Sequence, residues 1–388
     1  MNAANATAPP ENLKALTSLR FFAAMMIVAY HMDLFKAAPW ILWVPHSFVH
    51  GVSFFFVLSG FILTHVYRRD AGMTFGRFMS LRVARLYPTV LASMTFLVLV
   101  VPWADIPWSK AGLPMTTLGL GLKLLTLESA FPVSNVQFSW NAASWSISTE
   151  MYFYLAFPLL LKNLESTWAR KLLLAAYCAV AVFAVGALLQ LPVEFVTDNR
   201  VTVSALTYAN PLVRGFEFVL GMSTYLLWSR RISPLDLSLR VWTIIEMAAL
   251  LLIALWLTLG VASIEPALPS PASMWFDTSG SCFLFAGLIL VFASGRGWLG
   301  KLLTARVMVW LGEVSFAIYL YHQIVLRAFG PFLLARFSAD AAALIALAII
   351  LAIAAANHRW LEPRGRGIVL RTSERWRLRR PGSALAGS

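Results

Sequence analysis

The residues of this chain whose types and spacing could do chemistry are His31, Glu150 and the arginines Arg20, Arg82 and Arg85. Imidazole exchanges protons or attacks a carbonyl near neutral pH, and a nearby carboxylate orients the ring and raises its basicity. Arginine presents a planar fork of donors that grips phosphate bidentately. Arg20 and His31 are separated by close to three helical turns at ~3.6 residues per turn, so they share a helix face, about 16 Å apart along its axis. Arg82 and Arg85 open the run RVARLYP, which continues through Tyr87 and Pro88. Three positions apart in a first helical turn, they can face the same way. Arg214 and Glu217, in NPLVRGFEFVLG, have the same spacing and could neutralise each other. Glu313 and His322 lie in GEVSFAIYLYHQ, and Arg327 follows. Ser59 and Gly60 in GVSFFFVLSGFIL are small enough for close helix or ligand approach.

The elements that carry these residues must be membrane helices. Hydrophobic residues are 59% of 388, against roughly 45–50% in a globular protein, and charged residues are 13%, about half the usual share. Mean hydropathy is +0.73. With 15 Trp and 27 Phe, the apolar side chains exceed what one water-soluble core could hide. Disorder, coiled coil, collagen and a disulfide scaffold are excluded by the same figures. The fold class expected is all-α, a polytopic transmembrane bundle of about ten spans of ~20 residues: 15–36, 46–67, 82–102, 143–162, 171–191, 202–228, 241–262, 274–294, 306–329 and 340–360. The segment 113–127 is short and broken by glycine, and reads as interfacial or re-entrant. Residues 1–14 form an N-terminal tail, 15–360 the membrane domain, and 361–388 a basic C-terminal tail.

The net charge of +13 follows from sidedness. Most of the Lys and Arg fall in alternate loops and in the tail, which holds Arg364, Arg366, Arg371, Arg375, Arg377, Arg379 and Arg380. The positive-inside rule then places both termini in the cytoplasm, with Lys36, Lys110, Lys123, Arg200 and Arg336 outside. No nucleic-acid partner is needed to explain the charge. The tail reads as a solvated anchor on anionic headgroups, or as a partner-binding segment. The N-terminus lacks a signal peptide's charged region and short apolar core, so the first apolar segment is expected to be a permanent span. The Asn5-Ala6-Thr7 sequon then falls in the cytoplasm. Cys178 and Cys282 lie in apolar runs and read as packing residues.

An ionisable side chain at mid-bilayer costs at least about 2.5–3.5 kcal/mol, so Arg20, His31, Glu150, Arg214, Glu217, Glu313, His322 and Arg327 are functional candidates. Depth counting puts His31 in the outer half of the first span and Glu150 at the same level in the fourth. They could pair as a catalytic couple or as a structural polar contact between helices. Arg20, Arg82 and Arg85 lie toward the cytoplasm, as a cationic phosphate pocket or as ordinary flanking charge. His322 either lines a cavity with His31 or bonds a backbone carbonyl. No Gly-x-Ser-x-Gly elbow, Walker loop, His-Glu-x-x-His or paired Cys-x-x-Cys occurs, so no metal or resident cofactor is expected. His65 and Asp70 match a His-x4-Asp spacing, but two letters beside flanking arginines carry little.

Taken together, the motifs resemble the acyltransferase-3 family of integral membrane acyltransferases. The opening LKALTSLRFFAAMMIVAYH carries the family's Arg-x10-His spacing. GVSFFFVLSGFIL, RVARLYP, SWSISTEMYFY, RGFEFVLG, WLGEVSFAIYLYH and LEP follow in the family's order, across residues 13 to 364. One departure is Ser53, where the family often has Asp. The resemblance implies transfer of an acyl group, most often acetyl, from cytoplasmic acyl-CoA to a carbohydrate hydroxyl, on a surface polysaccharide or its lipid-linked precursor. It implies a multi-pass protein of the bacterial inner membrane, with polysaccharide-assembly machinery as an expected partner. By position, His31 would be the essential histidine and Glu150 its acidic partner. Arg20, Arg82, Arg85 and Tyr87 would engage CoA, while Ser59, Arg214 and His322 would line the acceptor side or the cavity. The esterase-like domain that some members carry after the membrane region is not among the 388 residues, so direct action or hand-over to a separate partner is expected. The competing expectations are a lipid or glycolipid flippase without acyl chemistry, and the membrane-bound O-acyltransferases of lipid or protein type, which lack the Arg-x10-His opening.

Overall fold

A computed structural model describes residues 13–70, 72–102, 113–193, 199–268 and 270–378. The expected tail 1–14 thus lies outside the described residues up to position 12, with its sequon, as do Lys110, Arg379 and Arg380. Among the described residues every regular element is helical, and one isolated β-bridge joins Val133 to Val201.

The helices are α1 Lys14–Tyr30, α2 Gly51–Tyr67, α3 Phe75–Val100, α4 Leu113–Leu124, α5 Trp145–Leu161 and α6 Leu164–Leu188. They continue with α7 Pro211–Leu227, α8 Leu239–Leu255, α9 Cys282–Ser294, α10 Arg306–Leu334, α11 Ala339–Ala356 and α12 Glu362–Leu378. Their starts are chemically marked. Thr74 Oγ1 accepts from the Arg77 amide at the head of α3. Asn210 Oδ1 accepts from the Leu212 amide, and Pro211 takes the first position of α7, where its missing N–H costs nothing. Ser238 and Ser338 cap α8 and α11 in the same way.

Among the described residues, seven helical stretches are long and apolar enough to cross a membrane: His46–Tyr67, Phe75–Val100, Leu164–Leu188, Leu239–Ala267, Ala272–Ser294, Arg306–Leu334 and Ala339–Glu374. Each stretch expected to span contains a helix, with shifted bounds: the first ends at Tyr30, and the sixth breaks at Asn210–Pro211. Helices α1, α5 and α7 are not among the seven stretches; each has 17 residues, or about 26 Å at ~1.5 Å per residue. These three carry Arg20, Glu150, Arg214 and Glu217. Helices α2 and α10 form the centre, with 72% of their apolar windows buried. Helix α6 is peripheral, and its Leu173 and Leu188 are 70% and 81% exposed, as for side chains that lipid would cover.

Two backbone contacts set the centre. A Cβ at Gly60 would strike the carbonyl of Phe218, and one at Gly221 the carbonyl of Val57, so α2 and α7 touch main chain to main chain. A Cβ at Gly312 would strike the carbonyl of Thr17, which locks α1 against α10. That second contact fixes Arg20 and His31 relative to Glu313 and His322.

The re-entrant reading of the segment after α3 extends further than 113–127. Residues from Val133 to Ser144 are buried except for half-buried Phe138, although only short helical turns interrupt them before α5. Lys123, expected in an outer loop, is instead buried. Its ammonium donates to Glu128 Oε1 at 3.2 Å, Gln137 O at 2.8 Å and Ser144 Oγ at 3.1 Å. A buried charge survives only with such a full set of partners. Asn141 Nδ2 donates to Ser93 Oγ on α3 and to the Leu320 carbonyl on α10. The segment is therefore pinned near the middle of both helices, and α5 begins inside the bundle rather than at its surface.

The basic tail is not simply solvated over its described part. A π-helical turn, Asn357–Leu361, joins α11 to α12, and α12 packs along α3.

Candidate active site

A cavity of about 490 Å³ opens among α1, α2, α3, α5, α10 and α12. Arg20, Arg82 and Arg85 line it, together with Ser59 and Glu150. The face-sharing argument thus holds for Arg82 and Arg85. Arg82 donates to the Tyr67 hydroxyl at 2.9 Å, and its guanidinium lies over the rings of Tyr67, Phe78 and Tyr154. Its Nε is buried without a partner. Glu150 accepts from Ser59 Oγ at 2.8 Å and from the Tyr154 hydroxyl at 2.5 Å. The site also holds Glu313, His358, Glu362 and Arg366, which no motif reading had assigned to it. Glu313 had been marked only as an intramembrane charge, and Glu362 only as part of LEP.

His31 and Glu150 are not paired. His31 sits at the end of α1, half-buried, and its Nδ1 is 2.8 Å from the Ile27 carbonyl and 3.3 Å from His322 Nε2. His322 is fully buried, with Nδ1 at 2.5 Å from the Tyr319 carbonyl. Both options for His322 are realised: it meets His31, and it bonds a carbonyl. A carbonyl can only accept, so both Nδ1 atoms carry hydrogen. His322 Nε2 is then the acceptor facing His31 Nδ1–H, and His31 Nε2 is left with its lone pair. The groups beside the His31 ring are thus the Ile27 carbonyl and His322, rather than Glu150.

The cavity and the histidines are joined by Tyr319. Its ring lines the cavity beside Phe55, its hydroxyl accepts from Ser146 Oγ at 2.9 Å, and its ring centroid is 5.7 Å from that of His322. Tyr319 thus stands between the cavity and the imidazoles, and neither His31 nor His322 lines the cavity itself. On the far side of His31, Tyr30 packs edge-on against it, with its hydroxyl 3.4 Å from His46 Nε2, and His46 Nδ1 is 3.3 Å from Asp277.

Two candidates lie elsewhere. Tyr87 points away from the arginines, with its hydroxyl 3.3 Å from Thr126 Oγ1. Arg214 does not line this cavity. It is buried, pairs with Glu217 at 3.2 Å, donates to Ser279 at 2.9 Å and lies over Phe56 and Trp145. Ser53 donates to Glu217 at 2.7 Å. An acid at position 53 would set two carboxylates together, so serine suits the Arg214–Glu217 pair. Among the described residues no group of His, Cys, Asp and Glu is arranged to hold a metal.

The acyltransferase-3 family model, described as an acyltransferase domain, matches residues 13–357. The chain is similar to the acyltransferase MdmB of Streptomyces mycarofaciens, at 32% identity over 82% of this chain and 81% of that protein. It is also similar to YrhL of Bacillus subtilis, a putative peptidoglycan O-acetyltransferase, at 25% identity. The match to the O-acetyltransferase OatA of Staphylococcus aureus is 23% identical. These two alignments cover 81% and 82% of this chain but only 48% and 51% of the relatives. No solved structure matches the chain.

Proposed function

The chain belongs to the acyltransferase-3 family, a multi-pass membrane O-acyltransferase family, and on that premise we propose that it moves an acyl group, acetyl in the first instance, from acyl-CoA to a carbohydrate hydroxyl. The observation that carries this reading is a cavity lined by Arg20, Arg82 and Arg85 beside Glu150, whose wall residue Tyr319 packs on His322, the neighbour of His31. With ten spans and both termini in the cytoplasm, the arginines face the CoA pool and His31 lies toward the opposite side.

The donor's phosphates meet Arg20, Arg82 and Arg85, and its pantetheine arm rises past Glu150, Ser59 and Tyr319. The thioester carbonyl then reaches His31 Nε2. In direct transfer this lone pair takes the hydroxyl proton, the sugar oxygen attacks the carbonyl, the C–S bond breaks, and the proton passes to the leaving thiolate. In transfer through an acyl-histidine the same lone pair attacks the thioester carbonyl and the C–S bond breaks to release the thiolate; the sugar hydroxyl then attacks the acyl carbon, the N–C bond breaks, and the hydroxyl proton passes to the thiolate. In both, the Ile27 carbonyl holds the Nδ1–H tautomer of His31, and His322 Nε2 stands as a second, longer acceptor beside it. Glu150 acts on the donor side, ordering Ser59 and Tyr154 beside Arg20. The acceptor approaches from the side of Tyr30 and His46. A surface polysaccharide or its lipid-linked precursor in a bacterial inner membrane fits that geometry.

The test is mass spectrometry of surface glycans from a deletion strain and its complement. One acetyl mass on a defined sugar, present only with the gene, is the expected result. Identical glycans, with acetyl-CoA left intact by the purified protein in vesicles, would favour a flippase and overturn the reading.

A further inference from the structure

We propose that α12, which lies beyond the matched family region, is a wall of the donor site, and that Arg366 is a ligand for a phosphate of the acyl-CoA. This rests on the acyl-CoA reading above and adds a residue and an element to it.

Helix α12 is held in place by specific contacts. At the turn before it, Asn357 is 1% exposed, donates to Thr89 Oγ1 on α3 at 3.0 Å and accepts from the Tyr321 hydroxyl on α10 at 3.3 Å. His358 stands between Glu362, at 3.2 Å, and Glu313 of α10, at 3.7 Å. Gly365 lies against Pro88, where a Cβ would come within 2.5 Å of the proline Cβ. The first turns of α12 therefore dock on α3 beside RVARLYP. Glu362 and Arg366, one helical turn apart, both face the cavity.

With Arg20, four guanidinium groups line the cavity against the three carboxylates of Glu150, Glu313 and Glu362, so the lining keeps a positive excess. Arg82, Arg85 and Arg366 share one cavity, and among the described residues no ion pair joins any of them to an acid. Glu362, the acid nearest to Arg366 along the helix, is engaged by His358. Arg82 Nε is a buried donor with no acceptor, a costly state that a ligand oxygen relieves. Three guanidinium groups from two helices form a cradle suited to a phosphate ester. Lipid headgroups and the donor both carry phosphate. The cradle lies in the cavity whose wall residue Tyr319 packs on His322, the neighbour of His31, which favours the donor.

The experiment uses the full chain in vesicles, with two donors: acetyl-CoA, and acetyl-pantetheine, which lacks phosphate. Arg366→Ala should raise KM for acetyl-CoA about tenfold and leave kcat within twofold, the loss expected for one charge-assisted contact. Its kcat/KM for acetyl-pantetheine should equal that of the wild type, which also shows that the variant is folded. Arg366→Lys should recover part of the loss. Arg371→Ala, on an exposed arginine of the same helix, should change neither donor. Equal losses with both donors, or no loss with either, would overturn the proposal. So would a loss seen only in anionic vesicles and not in neutral ones, since the phosphate would then be a headgroup. His31→Ala reports separately: if that variant transfers acetyl normally, it is the catalytic reading that fails.

Discussion

His31 is set both by its own helix, through the Ile27 carbonyl at 2.8 Å, and by His322 at 3.3 Å. The carbonyl of Tyr319 fixes His322, His322 faces His31 Nδ1, and His31 Nε2 is the nitrogen that the proposed mechanism uses. Replacing His31 with Ala should abolish transfer and leave acyl-CoA affinity near the wild-type value, as measured by isothermal titration in detergent. His322→Leu removes the acceptor opposite Nδ1–H, and kcat should fall about tenfold or more with donor KM unchanged. His322→Gln, whose carbonyl oxygen can accept, should keep more of the rate. If Leu and Gln behave alike, His322 is packing only. At this scale the sequence was informative where helical spacing alone decides. Arg82 and Arg85 share a face because three residues make nearly one turn. Tyr87 does not join them, because two further positions rotate it to the other side, where Thr126 meets it. Proximity within a motif had suggested otherwise.

The elements owe their arrangement to close backbone contact and to one buried polar segment. Gly312→Val should wedge α1 from α10, lowering stability by about 1–3 kcal/mol and moving His31 from His322. Thermal unfolding and acetyl transfer should both report it. Lys123→Met leaves Glu128 buried without its cation and should cost about 3–5 kcal/mol, read as a drop in unfolding temperature. An unchanged midpoint would show that water reaches Glu128. Counting depth along the sequence gave Glu150 the level of His31, because it assumed that the fourth span starts at the surface. Asn141 shows why it does not: its amide is tied to Leu320 and Ser93 inside the bundle. Glu150 is carried by this toward the arginines. A run of mixed serine, asparagine and glutamine has no periodicity from which such burial could be read.

For the whole molecule, hydropathy and charge made the helical membrane architecture legible, and the collinear motifs made the family legible. The part they missed is α12, since a run of arginines after the last apolar stretch has the composition of a solvated tail whether or not one face is docked. Sidedness is tested by single-cysteine labelling in a chain with Cys178 and Cys282 replaced. Arg77→Cys and Arg364→Cys should be labelled only from the cytoplasm, and Lys36→Cys and Arg336→Cys only from the opposite side. Labelling of 77 and 336 from one side would contradict the ten-span arrangement.

The most direct measurement is a single turnover of radiolabelled acetyl-CoA by the reconstituted wild type and the His31→Ala variant, with donor binding measured on the same samples. The account predicts that both bind the donor and that only the wild type forms an acetyl ester on a sugar hydroxyl. Ester formation at equal rates in the two would contradict it.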